Sequence, residues 1–137
     1  MVIVDTNILI DHLRKSDSNF YNNKNSILQN IFKFYLQKNK KIAISQVTIQ
    51  ELYAGKSMQD KQVELKVLDL LQSFTILPYK YHISVLAGKL MQSNTITFAD
   101  SVIASTSIYY DCGLITLNNK HFKDINELNL IDYKSFK

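Results

Sequence analysis

The first residues of the chain constrain its fold more than any other segment. Three apolar residues, Val2 to Val4, are followed by Asp5 and then directly by a pattern typical of a helix. This order predicts a short buried strand with Asp5 at its carboxyl end. In an open α/β sheet, ligands and catalytic groups collect at that edge. Asp5 is therefore a candidate functional residue, although Asp is also common in strand-end turns and at helix N-caps.

The rest of the chain alternates between strand-like and helix-like segments. We expect strands over 2–4, 42–44, 74–77, 114–116 and 130–132, and helices over 6–15, 26–39, 60–73, 81–93 and 99–110. Another helix should begin after Ser45 and carry Glu51, and the Asn-rich stretch 19–25 predicts a loop. This alternation predicts an α/β fold of three layers, with a mostly parallel central sheet of four to five strands flanked by helices.

Composition narrows the class of protein. A length of 137 residues, 46% of them hydrophobic, predicts a single globular domain over 1–137. Cys112 is the sole cysteine, which excludes an internal disulfide and a cysteine-rich zinc site. The sequence shows neither a secretory signal nor an apolar stretch long enough to span a bilayer. We therefore expect a cytoplasmic protein that does not associate with a membrane. A net charge of +4 is compatible with a polyanionic partner but is weak support for one.

Two further acids are candidates to join Asp5. Glu51 falls at the border of the apolar face of its helix, where an ordinary boundary glutamate would also lie. Asp100 falls in the first turn of a helix, where an acid also complements the helix dipole. Clustered carboxylates favour a hard divalent cation such as Mg²⁺ or Mn²⁺.

Four polar residues near these acids are candidates to orient a carboxylate or to bind a metal. Thr6 and Asn7 can hydrogen-bond back to Asp5 or cap the following helix. At the end of the fourth strand, Thr116 can orient a carboxylate through its hydroxyl, and Asn118 can offer a carbonyl oxygen to a metal or its water. A turn built from two Asn residues would explain the same segment equally well.

Four short motifs together resemble the PIN-domain ribonucleases, and within them the VapC-like toxins of toxin–antitoxin pairs. They follow one another in the family's order over almost the whole chain. The motifs are Val-Asp-Thr-Asn at 4–7, Ser45 and Thr48 leading to Glu51-Leu52 and Gly55, Ala99-Asp100 leading to Ile103-Ala104, and Thr116-x-Asn118 followed by Phe122.

The resemblance implies a metal-dependent endoribonuclease that leaves 5′-phosphate and 3′-hydroxyl ends. It implies that Asp5, Glu51 and Asp100 bind Mg²⁺ or Mn²⁺, with Asn118 as a fourth catalytic residue beside Thr116. Many relatives have Asp where this chain has Asn118, so one negative charge is missing and a second metal has less support. The resemblance also implies an RNA substrate, a homodimer, and a cognate antitoxin whose tail inserts basic residues among the acids.

Other readings of the sequence remain open or are disfavoured. A catalytically degenerate module would bind RNA or a protein partner without cleavage. A haloacid-dehalogenase-like phosphatase would need an acid at position 7, where this chain has Asn7, and a receiver domain would need an acidic pair before its acceptor strand.

Metal-independent ribonucleases use a histidine pair, but His82 and His121 lie in no recognisable motif. We expect a loop or packing role for His121 and a solvent-facing His12. Six lysines are candidates for an RNA track: Lys15, Lys40, Lys41, Lys56, Lys120 and Lys123.

Overall fold

A computed structural model of the chain describes residues 1–17 and 26–137; the loop expected over 19–25 lies outside these ranges. Five strands are present: β1 (Val2–Val4), β2 (Ile42–Ser45), β3 (Thr75–Leu77), β4 (Gly113–Thr116) and β5 (Leu130–Asp132). The α-helices are α1 (Thr6–Asp17), α2 (Ile27–Gln37), α3 (Gln46–Tyr53), α4 (Lys61–Leu71), α5 (Tyr81–Ser93), α6 (Phe98–Tyr109) and α7 (Asn119–Phe122). Two 3₁₀ helices cover Lys56–Gln59 and Tyr133–Phe136.

The five strands form one sheet in the order β3-β2-β1-β4-β5, and every pairing is parallel. β1 lies in the centre, with Ile3 opposite Ala43 on one side and Leu114 on the other. The carboxyl ends of β1 and β4 are therefore neighbours at one edge of the sheet. This arrangement confirms the expected fold class and places Asp5 beside the end of β4.

Hydrophobic side chains project from both faces of the sheet, because successive side chains of a strand point to opposite faces. Val2 and Val4 pack into a core with α1, α2 and α4, whereas Ile3 packs into a second core with α5, α6 and α7. Leu114 and Ile115 divide between the two cores in the same way. The sheet is thus the middle of three layers.

Side-chain caps fix the starts of the helices near the C-terminal edge of the sheet. Ser45 Oγ accepts from the Val47 amide at 3.3 Å and begins α3. Thr97 Oγ1 accepts from the Asp100 amide at 3.2 Å and begins α6. Such caps satisfy backbone donors that have no partner inside the helix. They set the positions of Glu51 and Asp100 along their helices.

The structure corrects several details of the sequence expectations. Asp60 is the N-cap of α4, where its side chain accepts from the Gln62 amide at 2.9 Å, and is not the first helical residue. β3 begins after Phe74. The ring of Phe74 instead packs against that of Phe32, with 5.2 Å between the ring centroids. His12 is half-buried and does not face solvent, since its Nδ1 lies 2.7 Å from Ser26 Oγ.

Three short helical segments were not expected from the sequence: α7 and the two 3₁₀ helices. α7 occupies the segment for which a turn of two Asn residues was one of two interpretations, with Asn118 at its N-cap position. None of the helices described is both long enough and apolar enough to span a lipid bilayer.

Candidate active site

Asp5 lies at the carboxyl end of β1 and is only 4% exposed. Its Oδ1 accepts from the Thr6 amide and its Oδ2 accepts from the Thr116 hydroxyl, both at 2.7 Å. A capping side chain normally accepts from the second or third amide of the helix, and in the described structure the Asp5 carboxylate instead bonds the first helical amide and a neighbouring strand. Asp5 is therefore held as an oriented, buried carboxylate and is not an ordinary N-cap.

Thr116 connects β4 to this carboxylate. Its hydroxyl donates to Asp5 and accepts from Asn7 Nδ2 at 3.2 Å and from the Asn118 amide at 3.0 Å. A hydroxyl has one proton and two acceptor positions, so all of its hydrogen-bonding capacity is used. Asn7 Oδ1 also accepts from the Leu117 amide at 3.3 Å. The end of β4 is thereby tied to the start of α1.

Glu51 approaches the same edge from α3. The Thr6 hydroxyl donates to Glu51 Oε1 at 2.6 Å, and Thr6 Oγ1 also lies 3.0 Å from Thr48 Oγ1. Because the single Thr6 proton is used toward Glu51, Thr48 is the donor in the second bond. Thr48 and Thr6 are both buried, so the bond between them is sheltered from water, whereas the bond from Thr6 to Glu51 is part-buried.

Asp100 lies in the first turn of α6, with 16% of its side chain exposed. Its Oδ2 lies 3.4 Å from Nδ1 of His121, which is on α7. The expectation for His121 is a loop or packing role, but the structure places its ring in contact with the candidate site residue Asp100. Asn118, at the N-cap position of α7, is exposed, and its side chain makes no capping bond.

The carboxylates influence one another's protonation. Burial raises the pKa of Asp5 from 3.8 to about 6; the Thr116 hydrogen bond opposes this shift, and the nearby charges of Asp100 and Glu51 add to it. Burial also raises the pKa of Glu51, the Thr6 hydrogen bond opposes that rise, and the charge of Asp100 again adds to it. The three acids are therefore close enough to repel one another when ionised.

The three acids do not converge as a closed cage. Among the described residues, no group of three or more Asp, Glu, His or Cys side chains has the spacing of a preformed metal site. Glu51 Oε1 accepts from the Thr6 hydroxyl, and the charges of Asp100 and Glu51 both act on Asp5. The assignment of these three acids as metal ligands stays a prediction. The chemistry of these donors nonetheless fits Mg²⁺ or Mn²⁺, since Mg²⁺ is usually bound by one or two carboxylates and keeps several waters.

Two residues of this network carry no clear functional signal in the sequence. Thr48 belongs to the motif that contains Glu51 but has no assigned role there, and His121 lies in no recognisable motif. The helical spacing of Thr48 and Glu51, three residues apart, was the available signal for the first. His121 and Asp100 are separated by 21 residues, and no pattern in the sequence links them.

Comparison with known proteins agrees with this geometry. The family model of the PIN domain matches residues 2–128. The chain belongs to the PIN-domain family. Curated relatives of this PIN domain include ribonuclease VapC10 of Mycobacterium tuberculosis, which is 30% identical over 93% of this chain and 90% of its own length. Ribonuclease VapC2 of Rickettsia felis is also 30% identical, over 93% of this chain and 94% of its own length.

A solved structure extends the comparison to the fold. VapBC2 from Rickettsia felis, bound to a DNA fragment from its promoter, contains a chain that matches this PIN domain with a TM-score of 0.75 and 30% identity. The match covers 96% of this chain and 98% of that one. The resemblance to PIN-domain, VapC-like proteins that the sequence motifs indicated is confirmed.

Proposed function

We propose that this PIN domain is a metal-dependent endoribonuclease and the toxin of a toxin–antitoxin pair. The proposal rests on the proximity of Asp5, Glu51 and Asp100 at the carboxyl edge of the sheet. The charges of Asp100 and Glu51 raise the pKa of Asp5, and the charge of Asp100 raises the pKa of Glu51. Its curated relatives are named as ribonucleases, which supports RNA as the substrate.

Asp5 and Asp100 are the residues we assign to direct contact with Mg²⁺ or Mn²⁺. Glu51 either joins them or orients the attacking water, and the exposed Asn118 offers a carbonyl oxygen at the rim of the site. When bound, such a cation neutralises charge on the phosphate and lowers the pKa of a water next to it. Asp5, Glu51 and Asp100 supply the negative charge that holds the cation at this edge.

Thr116 and Thr6 act as orienting residues in this proposal. Thr116 directs Oδ2 of Asp5, and Thr6 directs Oε1 of Glu51. Hydrogen bonds to outer partners of this kind hold metal-binding carboxylates in one orientation. When a water held in this site attacks the phosphate, hydrolysis leaves a 5′-phosphate and a 3′-hydroxyl.

Exposed lysines fit an RNA partner. Lys120 and Lys123 lie on and directly after α7, beside Asn118, and both are exposed. Lysines at such positions add affinity that depends on salt and not on base sequence. Lys15 and Lys56 are exposed as well, and Lys15 forms an ion pair with Asp11 at 3.1 Å. Lys40 and Lys41 directly precede β2, so they lie at the opposite edge of the parallel sheet from Asp5 and are not part of a track beside the site.

An antitoxin partner is part of the same proposal. A groove of about 370 Å³ lies between α1, α3 and α4, with Glu51 among the residues that line it. Its lining is largely apolar and includes Ile10, Leu52 and Met58. A partner segment with an apolar side and a basic residue near Glu51 would match this lining. The product of a short neighbouring gene is the partner to test first.

We also propose a homodimer in the cytoplasm. Phe98, Tyr53 and Tyr79 are large side chains that stay 61%, 43% and 39% exposed and line one shallow depression beside α3. A second copy of the chain would cover these rings, and light scattering of the purified protein measures whether it is a dimer.

The cytoplasm is the compartment of the proposed RNA substrate and suits a chain with one free cysteine.

Cleavage of labelled RNA tests the proposed function. Protein freed of any antitoxin should shorten RNA with Mg²⁺ or Mn²⁺ and not with EDTA, and Asp5→Asn should abolish cleavage. Asp124→Asn is the matched control, because Asp124 is exposed and is not among the charges that shift the pKa of Asp5 or Glu51. Folded protein that binds RNA equally with Mg²⁺ or EDTA and never cleaves a panel of RNAs would favour the degenerate binding module.

A further inference from the structure

Each of the three candidate acids has a donor beside it. Asp5 has Thr116, Glu51 has Thr6, and Asp100 has His121, whose Nδ1 lies 3.4 Å from Asp100 Oδ2. The first two donors are buried hydroxyls from neighbouring elements, and the third is an imidazole on α7. His121 is thus the side chain beside Asp100 that can donate to it, at a longer distance and with more exposure than the two threonine bonds.

α7 is anchored well enough to hold an imidazole in place. Phe122, the next residue, is fully buried in the core formed with α5 and α6. The His121 amide donates to the Asn118 carbonyl at 3.0 Å, and the Lys123 amide donates to the Asn119 carbonyl at the same distance. The backbone of His121 is therefore fixed between a buried ring and the end of β4.

We propose that His121 is a positioning residue for Asp100. In the tautomer that carries a proton on Nδ1, the ring donates to Asp100 Oδ2 and leaves Oδ1 of that carboxylate for the cation. This inference rests on the proposed metal-dependent function, and it assigns to His121 a task within the same site. The role is one of orientation, since His121 acts through Asp100 and does not touch the substrate.

A purely structural role would give a different pattern of effects. The His121 side chain is 55% exposed, so its contact with Asp100 adds little to the stability of the fold. Its loss should instead free the Asp100 carboxylate to rotate. Removal of outer hydrogen-bond partners of metal ligands typically lowers metal affinity by about 10- to 100-fold. Metal binding, measured apart from cleavage, is the readout that separates the two roles.

The experiment compares Mn²⁺ binding by calorimetry in four proteins: the wild type, His121→Ala, His121→Asn and the control His82→Ala. Asn restores a donor near the position of Nδ1, and His82 is an exposed histidine that stacks on Tyr109, outside the candidate site. We expect His121→Ala to weaken Mn²⁺ binding by about tenfold with an unchanged unfolding midpoint. His121→Asn should recover most of the affinity, and His82→Ala should match the wild type.

Steady-state cleavage of RNA completes the test. For His121→Ala at subsaturating Mn²⁺ we expect a lower kcat with an unchanged KM for RNA. Unchanged Mn²⁺ affinity in His121→Ala would overturn the inference, and a raised KM alongside it would assign His121 to RNA contact. Failure of the wild type itself to bind Mn²⁺ would overturn both the inference and the proposed function, so the two failures are distinguishable.

Discussion

Thr116 donates its one hydroxyl proton to Asp5 across 2.7 Å, from the end of one strand to the end of its neighbour. Both residues are buried, and the two acceptor positions of the hydroxyl are filled by Asn7 and by the Asn118 amide. The bond lowers the pKa of a carboxylate that burial raises, so it keeps Asp5 more easily ionised. An ionised Asp5 is the form that can hold a cation.

Thr116→Val tests this bond because it removes the hydroxyl and keeps the shape of the side chain. A hydrogen bond to a charged group contributes about 1.5–3 kcal/mol. We therefore expect kcat for RNA cleavage to fall by about 10- to 100-fold, together with a small loss of stability from the unpaired Asn7 and Asn118 donors. Thr116→Ser keeps the hydroxyl and should stay near the wild-type rate. A fully active, folded Thr116→Val would contradict the role given to this bond.

Thr48→Val tests the second chain of hydrogen bonds. Thr48 donates to Thr6, which donates to Glu51, so the variant leaves the Thr6 hydroxyl held from one side only. A neutral hydrogen bond contributes about 0.5–1.5 kcal/mol, and we expect the cleavage rate to fall by roughly 2- to 10-fold. Thr48→Ser is the matched control. Equal rates in the Val and Ser variants would show that the Thr48 hydroxyl is not required.

Asp5→Asn should stabilise the metal-free protein in a way that depends on pH. The pKa of Asp5 is about 6 in the folded protein against an ordinary value of 3.8, so the folded state binds the extra proton and the free energy of unfolding falls as pH rises between these values. The advantage of Asp5→Asn should therefore grow from about pH 4 to pH 6 and then level off, at up to about 3 kcal/mol.

Urea unfolding in EDTA at several pH values measures this difference. Saturating Mn²⁺ should reverse the order of the two proteins at neutral pH, because only the wild type gains from binding the ion. A difference that is the same at pH 4.5 and pH 7.5 would mean that Asp5 has no raised pKa in the folded state.

Asn118→Asp should strengthen metal binding. Asn118 is exposed at the rim of the site, and the substitution adds the negative charge that this chain lacks at the fourth position. We expect a several-fold lower Mn²⁺ concentration at half-maximal binding. Asn39→Asp adds the same charge shortly before the amino end of β2, at the opposite edge of the sheet, and should leave binding unchanged. Equal effects in both variants would point to general electrostatics and away from a local role for Asn118.

The parts of the fold that follow a regular pattern could be predicted from the sequence. β1 and β5 have the expected bounds, and so does α5, because apolar runs and helical periodicity are strong local signals. α7 could not be predicted, since four residues are too few to show a period. Its formation depends on Phe122 entering a core built from distant parts of the chain.

The same distinction applies to the candidate site. Asp5 was identifiable because its signal, an acid after a buried strand, lies within a few residues. The contact of Asp100 with His121 and the bond from Thr6 to Glu51 join residues that are 21 and 45 positions apart. Only the folded sheet brings such residues together, so sequence reasoning named the acids but missed two of the side chains beside them, Thr48 and His121.

Analysis of the RNA ends decides whether this PIN domain cleaves RNA by metal-dependent hydrolysis. Purified protein, freed of antitoxin and supplied with Mn²⁺, should produce fragments with 5′-phosphate and 3′-hydroxyl ends, and Asp5→Asn should produce none. Such ends require attack by water, which is the reaction that the carboxylates and their cation are proposed to direct. Fragments with 5′-hydroxyl and cyclic 2′,3′-phosphate ends, formed equally well in EDTA, would rule out a metal-dependent hydrolase at Asp5.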